Sequence, residues 1–260
     1  MLLEGRVAIV TGAGRGIGRA IATKFAAEGA AVVLASRTAT EVEGVAREIR
    51  AAGGRAAAVA ADVAKPGDCE RIVKAAGDAF GTVHILVNNA GIYGPVKPVE
   101  QVTLAEWDEV MAVNLRSAFM LCQLVLPVMY EQEAGVILNL VSVAAKCAYA
   151  LGSAYTTSKA GLAGLTRTLA AEGARRGVRV NAISPGPVLE TKMSETLRWE
   201  LSKLRGGDAR TTGDQMAQGT LQGRPQTADE IASAALFLAS DLASAITGQI
   251  VNVDGGIAFY

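Results

Sequence analysis

The sequence predicts an α/β protein, a doubly wound, parallel, seven-stranded sheet with helices on both faces, folded as a single domain over residues 1–260. Three observations predict it. Short apolar runs alternate with helical stretches from end to end, and near-continuous apolar strands are the kind buried on both faces. A glycine-rich turn joins the first apolar run to the first helix. Half of the residues are hydrophobic and 19% are charged, which suits one large core and excludes a disordered chain.

The first strand is Val7–Val10, and the turn Thr11-Gly12-Ala13-Gly14-Arg15-Gly16-Ile17-Gly18 follows it. Ile17 to Ala27 has helical periodicity, with Gly29 as its stop. Such a turn lets the backbone approach a phosphate, and the helix N-terminus offers free N–H groups and partial positive charge. The glycine spacing alone is a weak signal, but in a strand–turn–helix setting it points to a dinucleotide. The second strand, Ala31–Ala35, leads into Ser36 and Arg37, where such folds read the adenosine ribose. No acid stands there to take the two ribose hydroxyls. A hydroxyl and a guanidinium do, with Arg15 nearby, so NADP(H) is expected over NAD(H).

Thr40-x-x-Glu43 has the pattern of a capping box, and Val42, Val45, Ala46 and Ile49 recur at the spacing of a helix packed on a sheet. The third strand, Ala56–Ala60, leads to Asp62 and Val63, with Asp62 placed to meet an adenine amino group. The fourth, Ile85–Asn88, runs into Asn88-Asn89-Ala90-Gly91, whose amides and close backbone suit a ribose. Thr103-x-x-Glu106 opens a helix from Leu104 to Val128 that contains Asn114. Met111, Val113, Leu115, Phe119, Leu121, Cys122, Leu124 and Val125 make this helix apolar on more than one face. The sheet covers only one face, so a second subunit is expected on the other.

The fifth strand, Gly135–Val141, leads to Ser142, and Tyr155-Thr156-Thr157-Ser158-Lys159 opens the next helix. Tyr155 and Lys159 stand four apart and share a helix face. A phenol with a pKa of about 10 is a poor acid-base near neutrality, and a nearby ammonium favours the phenolate. The sixth strand, Arg179–Ser184, ends at Pro185-Gly186. Residues 186–225 hold no strand and read as a lid within the domain, with a break at Gly206-Gly207-Asp208 between two short helices. Thr227-x-x-Glu230 caps the last helix and Gln249–Val253 is the last strand.

Lys+Arg and Asp+Glu balance at 25 each, so no basic field invites nucleic acid. Cys69, Cys122 and Cys147 have neither metal-like nor paired spacing and read as free thiols of a cytoplasmic protein. His84 is the only histidine and reads as a strand-edge residue before Ile85-Leu86-Val87, which argues against His-based triads and multi-histidine metal sites, and no metal is expected. The chain opens on a core strand, leaving no room for a signal peptide. No uninterrupted apolar run has the length of a membrane span.

Thr11–Gly18, Asp62, Asn88–Gly91, Asn114, Ser142, Tyr155, Lys159 and Pro185-Gly186 occur in order and at separations that make the chain resemble the short-chain dehydrogenase/reductase family, in its compact single-domain, Rossmann-fold branch. The resemblance covers essentially the whole length. It implies that Ser142 orients a substrate carbonyl or hydroxyl, and that Tyr155 exchanges the proton as hydride moves to or from the nicotinamide. Lys159 would bind the nicotinamide ribose and depress the Tyr155 pKa, while Asn114 would hold a water and locally interrupt helical bonding. Pro185-Gly186 would border the nicotinamide, with Val188 to Thr191 against its carboxamide. A homotetramer is implied. Substrate would meet Ser142, Ala144, Lys146, Tyr149, Leu151-Gly152, Tyr155, Tyr93 and the lid.

Two substrate classes compete. The long lid suits polyols, sugars or small hydroxyketones. The acidic Glu131-Gln132-Glu133 disfavours the other class, 3-oxoacyl groups on an anionic carrier protein, although Arg175 and Arg176 remain as contacts for it. A reading of another class is a nucleotide-binding regulator without turnover; such proteins generally lose the tyrosine or lysine, and this chain keeps both.

Overall fold

Parallel pairing runs through the whole sheet, in the order β3-β2-β1-β4-β5-β6-β7. The strands are β1 (Val7–Thr11), β2 (Ala31–Ser36), β3 (Arg55–Ala60), β4 (Ile85–Asn88), β5 (Gly135–Leu140), β6 (Val178–Pro185) and β7 (Ile250–Val253). The computed structural model describes residues 1–259, the side chain of Arg205 excepted; Tyr260, the last residue of the expected domain, lies outside the described residues.

β1 shows why the strands are apolar throughout. Ala8 and Val10 point into one core layer and Val7 and Ile9 into the other, the two-residue alternation of a strand buried on both faces. The first layer lies beneath α1 (Gly16–Ala27), α2 (Ala39–Ala51) and α9 (Ala228–Ala239), with Phe25, Ile21, Val42, Ile231 and Leu238 at its centre. The second lies beneath α3 (Pro66–Phe80), α5 (Ser117–Glu131) and α6 (Ser153–Gly173), with Ile72, Leu121, Val125 and Leu169. His84 ties the start of β4 to the start of β1 in the middle of the sheet, its Nδ1 accepting from Val7 N at 3.0 Å.

Two of the three expected capping boxes form. Thr103 caps α4 (Leu104–Met111) with Glu106, and Thr227 caps α9 with Glu230. At α2 the box read at Thr40 and Glu43 does not exist, because β2 runs on to Ser36, the turn closes at Thr38, and Thr40 already lies inside the helix. α4 and α5 join through a π-helical turn over Ala112–Arg116 into one continuous rod. Leu104–Glu131 is thereby 28 residues long and, by length and composition, apolar enough to cross a membrane, where the uninterrupted apolar runs gave no such length. Arg116 and Gln123 break the run in sequence but not the helix. Here one side of the rod carries Val110, Leu121, Cys122, Val125 and Met129 into the protein, all buried.

Between β6 and α9 the chain leaves the sheet as α7 (Lys192–Arg205) and α8 (Ala209–Gln218). Gly206 turns at φ +71° between them and Asp208 caps α8, accepting from Arg210 N and Thr211 N. The strand order reverses between β1 and β4, so the crevice for a ligand opens beyond their carboxyl ends.

Candidate active site

The two strand ends at the reversal are laced together. Thr11 Oγ1 donates to Val87 O and accepts from Asn89 N and Ala90 N, while Asn89 Nδ2 donates to Thr11 O at 2.7 Å. This draws the turn after β1 so tight that a Cβ on Gly18 would lie 2.3 Å from Gly12 O and 2.4 Å from Asn89 Nδ2. Gly12 and Gly16 take φ of +64° and +54° to make the bend. Behind it α1 starts at Arg15 with no side chain on its first N–H groups, which leaves them for an anion. A bare backbone cradle against an uncapped helix fits the pyrophosphate of a dinucleotide.

Around this cradle the other expected cofactor residues are arrayed. Asp62 Oδ1 accepts from Ala64 N at 3.1 Å, and Val63 is buried with its carbonyl taken by Cys69 Sγ. Asn88 faces the sheet interior, where its amide donates to Asn139 Oδ1 at 2.8 Å; Asn139 in turn donates to Thr166 Oγ1 of α6. Its side chain therefore braces β4, β5 and α6. A Cβ on Gly91 would lie 3.3 Å from Asn114 Oδ1 and 3.5 Å from Lys159 Nζ. Pro185 ends β6, and Gly186 lies against Gln226, whose buried Oε1 has no partner. Val188 O accepts from Thr191 Oγ1, and the Thr191 methyl stands 3.3 Å from a Cβ position on Gly16. The lid thus begins across the crevice from the α1 N-terminus.

Ser142 follows β5, with its hydroxyl accepting from Ala144 N at 3.2 Å. Tyr155 and Lys159 lie in the first two turns of α6, both buried, with the ammonium 5.8 Å from the centre of the phenol ring. Lys159 Nζ donates to Leu140 O at 2.6 Å, tying α6 to the end of β5. Asn114 sits in the π-helical turn, where the helical bonding is interrupted as the resemblance implied. Its amide accepts from Ile92 N and donates to Ile92 O and Ser158 Oγ.

The sequence model of a family described as enoyl-(acyl carrier protein) reductase matches residues 12–258. D-threitol dehydrogenase of Mycolicibacterium smegmatis is 39% identical over 254 residues, covering 98% of this chain and 93% of that one. A 3-oxoacyl-[acyl-carrier-protein] reductase of Synechocystis is 38% identical over 260 residues and 99% of both chains. The crystal structure of levodione reductase superposes with a TM-score of 0.93 at 35% identity, over 97% of each chain.

The chain belongs to the short-chain dehydrogenase/reductase family. It is an oxidoreductase, and its family binds NAD(P)(H).

In this short-chain dehydrogenase/reductase burial is the largest influence on both Tyr155 and Lys159. Burial pushes the Tyr155 phenol up to about 12, partly offset by the Ser142 hydroxyl and reinforced by Tyr93 and Tyr149. Burial lowers Lys159 to about 8. Desolvation of the phenolate is the largest influence on Tyr155, and Lys159 is itself desolvated, with its ammonium 5.8 Å from the ring centre.

Tyr93 stacks on Tyr155 with ring centres 4.7 Å apart and planes at 24°. Its hydroxyl stands over Gly152, where a Cβ would come within 2.6 Å of it. Ala144 is buried behind Ser142 and Tyr149 is exposed at the rim. Two residues of the site lay outside the sequence reading. Met193, from the first turn of α7, reaches within 3.8 Å of a Cβ position on Gly91. Its only signal was an apolar spacing along the lid.

The second is Glu41. Where no acid was expected after β2, the Glu41 carboxylate reaches back from the first turn of α2, accepting from Arg15 Nη1 at 2.8 Å. It misses sequence inspection because it stands five residues beyond Ser36 and only the helical turn returns it.

Proposed function

We propose that this protein moves hydride between NADP(H) and a small carbonyl or secondary alcohol of the hydroxyketone, polyol or sugar type, with Tyr155 as general acid and base. The observation that carries the reading is the meeting of Tyr155 with the Ser142 hydroxyl and, 5.8 Å from its ring centre, with the Lys159 ammonium, which stands 3.5 Å from a Cβ position on Gly91. The bound nicotinamide supplies the hydride in reduction and accepts it in oxidation. Ser142 orients the substrate oxygen, and the Tyr155 hydroxyl gives that oxygen its proton as negative charge builds on it. In oxidation the same phenolic oxygen takes the proton back. Lys159 would hold the ribose hydroxyls, and Asn114 would hold a water in the proton relay. Gly12, Gly14, Gly16, Ile17 and Gly18 cradle the pyrophosphate. Ser36, Arg37 and Arg15 take the 2′-phosphate, Asp62 and Val63 the adenine, and Pro185, Gly186, Val188 and Thr191 the nicotinamide.

Tyr93, Tyr149, Ala144 and the lid wall a pocket suited to a small polar ketone. The names of the D-threitol and levodione enzymes support that class. The Synechocystis relative keeps 3-oxoacyl thioesters as the second reading, and one of the two arginines that would serve a carrier, Arg176, instead lies over the Tyr130 ring at 3.7 Å. Turnover of NADPH and NADH against diketones, keto-sugars and 3-oxoacyl thioesters tests this. Activity with NADPH and the small ketones is expected. Activity confined to thioesters would reverse the substrate reading, and tight nucleotide binding without turnover would favour a regulator.

We further infer a cytoplasmic homotetramer that uses neither membrane nor nucleic acid. All three cysteines are free, as a reducing compartment keeps them. Leu104 and Phe119 stand exposed on the rod at 82% and 49%, and α6 packs beside it. Sedimentation velocity at micromolar concentration should give four chains; a stable monomer would refute the assembly.

A further inference from the structure

Glu41 breaks a pattern that the rest of the chain obeys. At α4 and α9 a threonine N-cap and a glutamate three residues later exchange hydrogen bonds, Thr103 with Glu106 and Thr227 with Glu230. Thr38 and Glu41 stand at the same two positions of α2, yet the Thr38 side chain caps nothing and Glu41 turns away to Arg15. The carboxylate lands inside the cradle. A Cβ on Gly14 would lie 2.9 Å from Glu41 Oε2 and 3.1 Å from Ser36 Oγ. So the acid shares the ground between the glycine turn and the end of β2 with the hydroxyl assigned to the adenosine ribose. Among the described residues Arg37 is exposed and in no ion pair, whereas Arg15 is held.

We propose that Glu41 discriminates between the two cofactors by competing with the 2′-phosphate for Arg15. This rests on the assignment of Ser36, Arg37 and Arg15 to the adenosine ribose. Without a 2′-phosphate the carboxylate stays on Arg15 and faces the ribose hydroxyls, which it can accept from. A 2′-phosphate repels it and takes the guanidinium. The displaced carboxylate has a ready alternative, the Thr38 N–H, which has no partner among the described residues, and closing that third capping box offsets part of the lost ion pair. The chain thereby tolerates NAD(H) while binding NADP(H) less tightly than its two arginines alone would allow.

Isothermal titration of the wild-type protein with 2′,5′-ADP and with 5′-AMP reads the discrimination without turnover. Glu41→Gln should tighten 2′,5′-ADP by about fivefold, the scale of an exposed ion pair, and leave 5′-AMP equal or weaker. Thr38→Val, which removes half of the alternative box, should weaken 2′,5′-ADP alone. Unchanged ratios in both variants would overturn the proposal. Arg37→Ala separates it from the reading beneath. If that variant loses the 2′-phosphate preference while Glu41→Gln changes nothing, the NADP(H) assignment stands and the role of Glu41 falls. If the wild type shows no preference and Glu41→Gln creates one, Glu41 stands and the NADP(H) assignment falls.

Discussion

Replacing Tyr155 by Phe is expected to lower kcat by about a thousandfold or more, within the span of general acid-base catalysis, while the Kd for NADPH stays within about twofold of wild type by titration of the free enzyme. The substitution removes one oxygen from a buried ring that otherwise stays in place against Tyr93. What is lost is the proton donor. The phenol also makes a pH prediction. Burial pushes its pKa up to about 12, from 10.0 for the unperturbed group, so Tyr155 is expected to stay protonated at neutrality. An ultraviolet difference titration should show one phenolate, absent in the Phe variant, appearing only near that value. Oxidised cofactor should bring it down, since the nicotinamide charge favours the phenolate.

The linked stabilities have opposite signs. Because the folded phenol holds its proton more tightly than the unfolded one, Tyr155 contributes stability that is present below pH 10 and lost as pH rises through about 12. Lys159 is lowered from 10.5 to about 8, so it costs stability below pH 8, and that cost is relieved as pH rises toward 10.5. A Phe variant that still turns over would remove Tyr155 from the acid-base role.

Gly18→Ala should weaken dinucleotide binding by at least about a hundredfold and destabilise the fold by about 1–3 kcal/mol, as overpacking does. The added methyl meets Gly12 O at 2.3 Å, Asn89 Nδ2 at 2.4 Å and Gly12 C at 2.8 Å. Two of these are backbone of the cradle itself, so relief requires α1 to move away from β1 or the turn to open. Either displaces the N–H groups that would hold a pyrophosphate. Gly44, in the middle of α2, provides the contrast. Nothing lies within 4 Å of a Cβ there, and Gly44→Ala should leave binding unchanged and raise stability by about 0.5–1 kcal/mol. Thermal unfolding and titration with NADPH measure both variants. Wild-type affinity in the Gly18 variant would mean that the cradle is not the binding site.

The sheet was legible because burial on both faces writes itself into each strand as a continuous apolar run. Val7–Val10 or Ile85–Asn88 need no tertiary information to be found. Ser142, Tyr155 and Lys159 were legible for a different reason: each stands at the end of a predicted strand or on one face of a predicted helix, and local geometry carries them to the same side. The box at Thr40 failed because two overlapping Thr-x-x-Glu patterns fit the same stretch. Choosing between them depends on where β2 stops, which is set by its pairing with β3 out to Ser36 and Ala60.

By itself, then, the sequence determined the element order, the parallel sheet, the glycine turn and the side chains proposed to react, because these follow from periodicity and from residues close in the chain. Only the tertiary structure decided what burial does to the Tyr155 phenol, that Asn88 braces the sheet, and that Met193 and Glu41 reach the site. Those outcomes depend on distances between residues far apart in sequence and on solvent excluded by elements packed over them. Neither quantity is written in any local run of residues.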